Sequence, residues 1–398
     1  MNPLSDRVKY LTESATLAMT RLSRELTAQG LDVINLSIGE PDFDTPTFVK
    51  EAAKKAIDDN WTHYPPVPGY ADLREAVSLK LKRDNNLDYT PEQIVVSTGA
   101  KQALTNVMLS LVNPGEEVIV PTPFWVSYSE LIKLAEGKAV YINASLENRF
   151  KITPQQLEEA ITEKTKLVMF NSPNNPTGSV YSREELEEIA KVLERHPHVY
   201  VIADEIYEYI TFGIAHYSLA TFSSIKDRII IINGVSKGYA MTGWRLGYSV
   251  SSLEIAKACN KIQGQITSGT CSITQRAALA ALLKGPNENP ELVSMVEIFR
   301  KRRDLLGSLL KEIPGFKVDI PDGAFYIFPD ISELFGKTMA NGIVINNDDE
   351  LCMYLLKEAQ VALVSGSSFG NPKCIRFSYA TSDERLIEAV KRIKKALA

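Results

Sequence analysis

IIIINGVSKGYAMTGWRLG, Ile229 to Gly247, joins a β-branched run to a glycine-rich turn that carries a serine-lysine pair and, further on, Arg245. Four isoleucines in a row read as a strand buried on both faces, the mark of a sheet covered by helices on each side. The turn after such a strand offers backbone N–H groups, the Ser236 hydroxyl and the Arg245 guanidinium to an anion. Lys237, partly desolvated and beside fixed positive charge, is expected to have a lowered pKa and a nucleophilic amine. A lysine able to form a Schiff base next to a phosphate seat suggests pyridoxal phosphate. A lone Ser-Lys pair in a loop is more often a solvated surface feature, so the rest of the chain has to decide.

Outward from this stretch the same alternation repeats. IVVSTG, EEVIVPTP, KAVYIN, KLVMFNSPNNPTG and HVYVIADE read as strands, separated by the helical patterns AKQALTNVMLSLV, 125–136, 154–161 and the segment capped by Ser182 with Glu185. Strands alternating with helices predict an α/β domain of roughly residues 46–290, with a mostly parallel sheet covered on both faces. After Lys284 the linker GPNENPE leads into a long helix over 292–313. GFKVDIPDGAFYIFPDI alternates as two half-buried strands, 361–364 and 375–379 are further short strands, and a helix closes the chain from Ser382. A smaller α+β domain over 291–398 follows, to which residues 1–45 add a polar arm, a helix over 17–29 and a short strand over 32–36.

Composition narrows the function classes. With 44 Lys+Arg against 49 Asp+Glu the formal charge is −5, and no basic block marks a nucleic-acid surface. Cys259, Cys271, Cys352 and Cys374 make no metal spacing and read as reduced, mostly buried thiols. The four histidines, His63, His196, His198 and His216, form no ligand motif and read as surface or loop residues, so no protein-bound metal is expected. The opening residues have no signal-peptide core, and no apolar run approaches the ~18 residues of a membrane span. A cytoplasmic protein without a membrane partner is expected.

In an open α/β sheet, ligands lie off the C-terminal ends of the strands. Five features fall there: Gly99-Ala100-Lys101 at a strand-to-helix turn, Phe124-Trp125, the Asn174-Asn175 loop, Asp204 with Tyr207 one turn on, and Ser236-Lys237. Each alone has a plainer reading: Gly99 as a tight turn, Trp125 as core, Asp204 as a helix cap. Their arrival at one edge of one sheet favours a site.

Nearly the whole chain resembles the fold-type I, class I aminotransferases that use pyridoxal phosphate, and within them the bacterial aspartate aminotransferase branch. The motifs that carry the resemblance run from SATLAM through GEPDFDTP, YPPVPGYADLREA, STGAKQAL, PTPFWVSY, NSPNNPTG, ADEIYE, SKGYAMTGWRLG and PDGAFY to IRFSYATS. The resemblance implies a seven-stranded sheet sandwiched by helices. It implies Lys237 as the lysine that links the cofactor and then moves the substrate proton, and Asp204 as the partner of the ring nitrogen. Tyr207 and Asn175 would bond the ring oxygen, Trp125 would stack on the ring, and Gly99, Ala100, Lys101, Ser236 and Arg245 would hold the phosphate. Tyr64 would reach the phosphate of a neighbouring subunit, implying a homodimer with shared active sites. Arg376, with Asn175, Trp125 and the Gly39 backbone, would receive the substrate.

The implied reaction is ping-pong transfer of the amino group of L-aspartate to 2-oxoglutarate. The alternatives are alanine or aromatic amino-acid transamination and a carbon–sulfur lyase activity. A cofactor-binding regulatory domain would be expected to bring a DNA-binding segment, for which these 398 residues leave no room. The second carboxylate of an acidic substrate has no evident cation. Ser14 and Thr16 are the candidates for it, and Lys101 counts with the phosphate. Several relatives carry a basic residue at the position of Thr12, a departure that argues against use of the larger keto acid prephenate.

Overall fold

The four isoleucines divide between two hydrophobic layers. Ile229 and Ile231 face a core built with helices Thr47–Asp58, Ala71–Asn85, Arg183–Arg195 and Ser272–Leu283. Ile230 and Ile232 face a second core built with helices Ala100–Leu111, Ser127–Leu134 and Leu253–Ile266. The period of two along a strand sends alternate side chains to opposite faces, so an unbroken β-branched run requires cover on both. The structure is a computed structural model that describes residues 4–339 and 341–398. The start of the polar arm at residues 1–3, and Ala340, lie outside the described residues.

In chain order the strands are β1 (Ile34–Asn35), β2 (Ile94–Ser97), β3 (Glu117–Thr122), β4 (Lys138–Asn143), β5 (Thr165–Asn171), β6 (Tyr200–Asp204), β7 (Ile229–Gly234) and β8 (Gly247–Val250). The later ones are β9 (Tyr326–Ile327), β10 (Lys337–Thr338), β11 (Val344–Ile345), β12 (Val361–Ala362), β13 (Val364–Ser365) and β14 (Ile375–Ser378). Seven of them form the central sheet in the order β2-β8-β7-β6-β5-β3-β4. Only β8 runs antiparallel to its neighbours, so β2, β3, β5, β6 and β7 all end at one edge. The expected α/β class and seven-stranded sheet are what the chain adopts.

A further core gathers Met19, Val33, Ile34 and Leu36 with Phe299, Leu306, Phe325, Ile375 and Phe377. β1 pairs parallel with β12, which ties the N-terminal segment to the C-terminal part of the chain. β13, β14 and β9 make a small antiparallel sheet. Its strand β14 carries Arg376 and its strand β9 carries Tyr326.

Three local expectations change. The stretch 315–331 contains one two-residue strand, β9, and an isolated bridge from Lys317 to Asp330, rather than two alternating strands. Phe325, Tyr326, Ile327 and Phe328 are all buried, because this segment is wedged between packed layers and has no solvent face. The helix expected from residue 125 starts at Ser127, with the Phe124 amide bonded across to the Phe369 carbonyl at 3.0 Å. His216 is in a loop as expected, yet its side chain is only 6% exposed and lies against Glu205. Cys259, Cys352 and Cys374 are buried and Cys271 is exposed, and all four are free thiols. No helix among the described residues is long and apolar enough to cross a membrane.

Candidate active site

A cavity of about 360 Å³ opens at the edge where the parallel strands end, within the usual range for small-molecule sites. Its lining includes Gly39, Ala100, Lys101, Trp125, Asn175, Asp204, Tyr207, Ser236, Lys237, Arg245 and Arg376. Ser14 and Thr16 of the arm also reach it. Tyr64 does not: its side chain stands 98% exposed, away from the cavity of its own chain.

At one end the helix Ala100–Leu111 begins, and Ala100 and Lys101, whose amides precede its first backbone bond (Gln102 to the Gly99 carbonyl at 3.0 Å), line the cavity. Gly99 precedes it at φ +83°, and a Cβ there would run into the Arg245 guanidinium. Glycine is therefore what lets the cation lie against the helix start. Arg245 itself is left-handed at φ +56°, a conformation sparsely used by non-glycine residues, and its Nη1 donates to the Thr242 carbonyl at 2.8 Å. Ser236 is buried beside it.

Asp204 ends β6 and is 4% exposed. Its Oδ2 accepts the Tyr128 hydroxyl at 2.7 Å and its Oδ1 accepts the Ile206 amide at 3.3 Å. Burial outweighs both bonds and pushes the carboxyl up to about 6. Asn171 braces the same strand end by donating to the Asp204 carbonyl at 2.8 Å, while its Oδ1 accepts the Asn175 amide at 2.9 Å. Tyr207 carries its hydroxyl to Tyr326 at 2.8 Å and lies 3.5 Å from the Asn175 amide nitrogen.

Lys237 is half-buried, and its Nζ donates to the Gly39 carbonyl at 2.5 Å. Burial, with lesser repulsion from Arg376 and Arg245, brings the amine down to about 8 against the pull of Glu40 and Asp204. Such an amine is still mostly protonated near pH 7.4, but its neutral fraction of roughly a fifth, against about a thousandth for an ordinary lysine, can act as a nucleophile or base. Arg376 is 1% exposed. It donates to Asn175 Oδ1 at 2.9 Å and to the Ser37 carbonyl at 2.6 Å, and its guanidinium lies between the rings of Tyr326 and Phe369. Its Nε has no partner. A buried guanidinium held only by neutral groups is poised for an anion.

A family model described as aminotransferase class I and II matches residues 31–393. The chain belongs to the class I and II aminotransferases. A relative in Cereibacter sphaeroides named aspartate/prephenate aminotransferase is 48% identical, over 98% of this chain and 98% of its own. The crystal structure of the aspartate aminotransferase from Rhizobium meliloti superposes with a TM-score of 0.96 at 41% identity, covering 100% of this chain and 99% of that one. That of the Thermus thermophilus aspartate aminotransferase with maleate gives 0.93 at 39% identity, with 100% of both chains covered. Like the family, this aminotransferase depends on pyridoxal phosphate.

The residues present fit that cofactor. A helix start, a buried hydroxyl and an unpaired arginine suit a phosphate at one end, and a buried carboxylate suits a protonated ring nitrogen at the other. A half-buried lysine amine lies in the same cavity. Sequence reasoning missed Tyr128, Asn171 and Tyr326, which hold Asp204, the Asn175 loop and Tyr207 in place. A signal existed for the first: Tyr128 stands three residues after Trp125, on the same side of a helix start.

Proposed function

We propose that this aminotransferase moves the amino group of L-aspartate to 2-oxoglutarate, two half-reactions passing in turn through one site. The observation that carries the reading is the set of four cations in one cavity, Lys101, Lys237, Arg245 and Arg376, with Asp204 as the only acid on its wall among the described residues. Bound pyridoxal phosphate supplies the electron sink for the bonding pair of the substrate Cα–H. The chain supplies the rest. The Ala100 amide, Ser236 and Arg245 hold the phosphate, with Gly99 giving the guanidinium room. Asp204, kept in place by Tyr128, accepts the ring N–H. Tyr207 and Asn175 face the ring oxygen, and Trp125 covers the ring. Lys237, once displaced from the cofactor by substrate, takes the proton from Cα with its Nζ and returns it on the other side of the reaction. Arg376 grips the α-carboxylate together with Asn175 and the Gly39 backbone, fixing the Cα–H for removal.

Lys101 was expected at the phosphate, and a second role suits it better. Its Nζ lies 4.9 Å over the Trp125 ring, and burial, with Arg245 nearby, lowers its pKa. Arg376 and Arg245 are spoken for by the two other anions, which leaves Lys101, with Ser14 and Thr16, for the distal carboxylate. The Thermus structure is one with maleate, a dicarboxylate, which supports a dicarboxylate as substrate here.

Tyr64, fully exposed on its own chain, belongs in this reading to the phosphate seat of a second subunit, making a homodimer with shared sites. The division into residues 46–290 and a smaller domain of 291–398 joined by 1–45 is part of the same proposal. The separate hydrophobic cores support it.

A second reading adds prephenate as an acceptor. The Cereibacter relative's name favours it, against the argument from Thr12. Thr12 lines an adjoining cavity of about 720 Å³ that shares Ser14 and Lys101 with the first, which leaves space for a longer dicarboxylate.

The experiment is a panel of amino donors with 2-oxoglutarate, preceded by borohydride reduction and peptide mapping. The cofactor should be fixed on the peptide containing Lys237. Aspartate should give the highest kcat/KM, at least tenfold above alanine, which needs only ~1.4 kcal/mol of differential transition-state binding. If alanine, an aromatic amino acid or a sulfur amino acid wins, the aspartate reading fails. Prephenate in place of 2-oxoglutarate, with aspartate as donor, decides the second reading.

A further inference from the structure

The helix Ala71–Asn85 presents an apolar stripe of Leu73, Ala76, Val77 and Leu81, and Lys80 stands on that stripe. A lysine at a core position is a conflict between local pattern and fold, and such conflicts collect at functional places. Lys80 is 0% exposed, and its Nζ meets Glu208 Oε1 at 2.5 Å, with Glu208 itself 4% exposed. Each charged atom of the pair has a further partner besides the other. Lys80 also donates to Asn85 Oδ1 at 2.8 Å, and Asn85 Nδ2 donates to Glu208 Oε2 at 3.0 Å. Asn233 Nδ2 donates to Glu208 Oε1 at 2.7 Å.

Position gives this cluster its meaning. Glu208 follows Tyr207 directly. Asn233 lies near the end of β7, just before the turn that carries Ser236 and Lys237, and its Oδ1 accepts the Gly234 amide at 2.7 Å. Next along the chain, Tyr209 donates to Asp84 Oδ2 at 2.6 Å, and its ring lies so close to Gly238 that a Cβ there would stand 2.6 Å from Tyr209 Cδ2. The end of one helix thus grips the residues after Tyr207 and supports the backbone on both sides of Lys237.

We propose that the buried Lys80–Glu208 pair, with Asn85, Asn233, Asp84 and Tyr209, is a positioning device that fixes the Lys237 turn against the Asp204–Tyr207 segment. None of these groups touches substrate or cofactor. A buried ion pair is a poor source of net stability, since apolar replacements are often neutral or stabilising. Its directional bonds do specify where two strand ends sit relative to each other. The inference rests on Lys237 being the cofactor lysine.

The test uses holoenzyme carrying Asn233→Ala, which cuts the tie to β7 while leaving the ion pair matched. A second variant, Lys80→Met/Glu208→Gln, removes both charges together. Three quantities are read: the midpoint pH of the bound cofactor's visible-band titration, kcat and KM for aspartate, and Tm. Each variant should move the midpoint by at least half a pH unit and lower kcat about tenfold. KM should stay within about twofold, because the Arg376 clamp is untouched. A parental midpoint with kcat within twofold, whatever happens to Tm, overturns the proposal and leaves the cluster merely structural. If Asn233→Ala gives no folded holoenzyme, the double variant decides alone. Borohydride mapping of the parent separates the two readings. A label on another lysine sinks the Lys237 assignment and this inference together, whereas a label on Lys237 with an unmoved midpoint sinks this inference alone.

Discussion

Asp204→Asn should weaken the enzyme and strengthen the cofactor-free chain. Burial raises the Asp204 carboxyl from its ordinary 3.8 to about 6. The native state therefore binds this proton more tightly than the unfolded chain does, and stability falls as pH climbs from about 4 through 6. Above pH 6 the whole cost is present: a shift of about two units at 1.36 kcal/mol each makes ~3 kcal/mol. Asparagine keeps the shape, and its amide can still bond the Tyr128 hydroxyl, but it carries no charge to desolvate. At an unfolding entropy of ~2.1 cal/mol/K per residue, removing ~3 kcal/mol raises Tm by roughly 3–4 °C. Calorimetry of protein stripped of cofactor should show that rise at pH 8 and little of it at pH 4.5. With cofactor bound the sign reverses, because the carboxylate then has a cationic partner. The Tm increment from adding pyridoxal phosphate should shrink in the variant. Single-turnover reaction with aspartate should slow by at least a hundredfold, which corresponds to ~2.7 kcal/mol in the barrier. A variant whose stripped form is no more stable than the parent at pH 8 refutes the electrostatic argument. Single-turnover rates within threefold of the parent refute the role at the ring nitrogen.

Other expectations follow from the same geometry. Arg376→Ala removes the buried guanidinium that bonds Asn175 and the Ser37 carbonyl. Truncating one partner of a buried charge contact costs ~2–5 kcal/mol, so kcat/KM for every amino donor should fall at least about thirtyfold, chiefly through KM. Lys101→Ser should reduce the preference for aspartate over alanine to below threefold while cofactor affinity changes little. A large loss of cofactor affinity would return Lys101 to the phosphate. For Tyr64, mixing inactive Lys237→Ala chains with crippled Tyr64→Phe, Arg245→Ala chains should redistribute the defects between the two sites of each heterodimer. Activity equal to the average of the two homodimers would assign Tyr64 to its own chain.

The sheet was legible in the sequence because its strands are buried on both faces, a demand that four consecutive isoleucines announce without any knowledge of their neighbours. The site's edge was legible for a related reason. Strand ends followed by Gly99, Asn175, Asp204 and Lys237 are places where backbone polarity and side-chain chemistry coincide, and parallel topology brings them together. What stayed hidden depends on contacts distant in sequence. Tyr128 reads as one more helix residue until Asp204 arrives beside it. The alternation in 315–331 suggests half-exposed strands, but β14 and the helix Pro290–Lys311 leave residues 323–329 no exposed side, while Lys317 stays open to solvent.

Charge placement in this aminotransferase follows one rule on the cavity wall and another beneath it. On the wall, Arg376 and Arg245 have neutral partners only, Lys101 faces an aromatic ring, and Asp204 has a hydroxyl and an amide. Asp204 and Arg376 are buried there, while Lys101 and Arg245 stand open to solvent. Each is left with Coulombic demand that an incoming ion can meet, and for the buried two the cost of desolvation becomes affinity once that ion binds. Beneath the wall, Lys80 and Glu208 are matched to each other and bonded as well to Asn85 and Asn233. A matched pair has nothing to offer a ligand, but it resists displacement in every direction in which a bond would lengthen. The unmatched charges need that resistance. An anion drawn toward four cations would pull a loosely held Lys237 turn toward itself, and a near-attack geometry tolerates little such movement. Recognition and rigidity are thus divided between two sets of charges, and the residues that link them are Asn233 and Tyr209 on either side of the lysine.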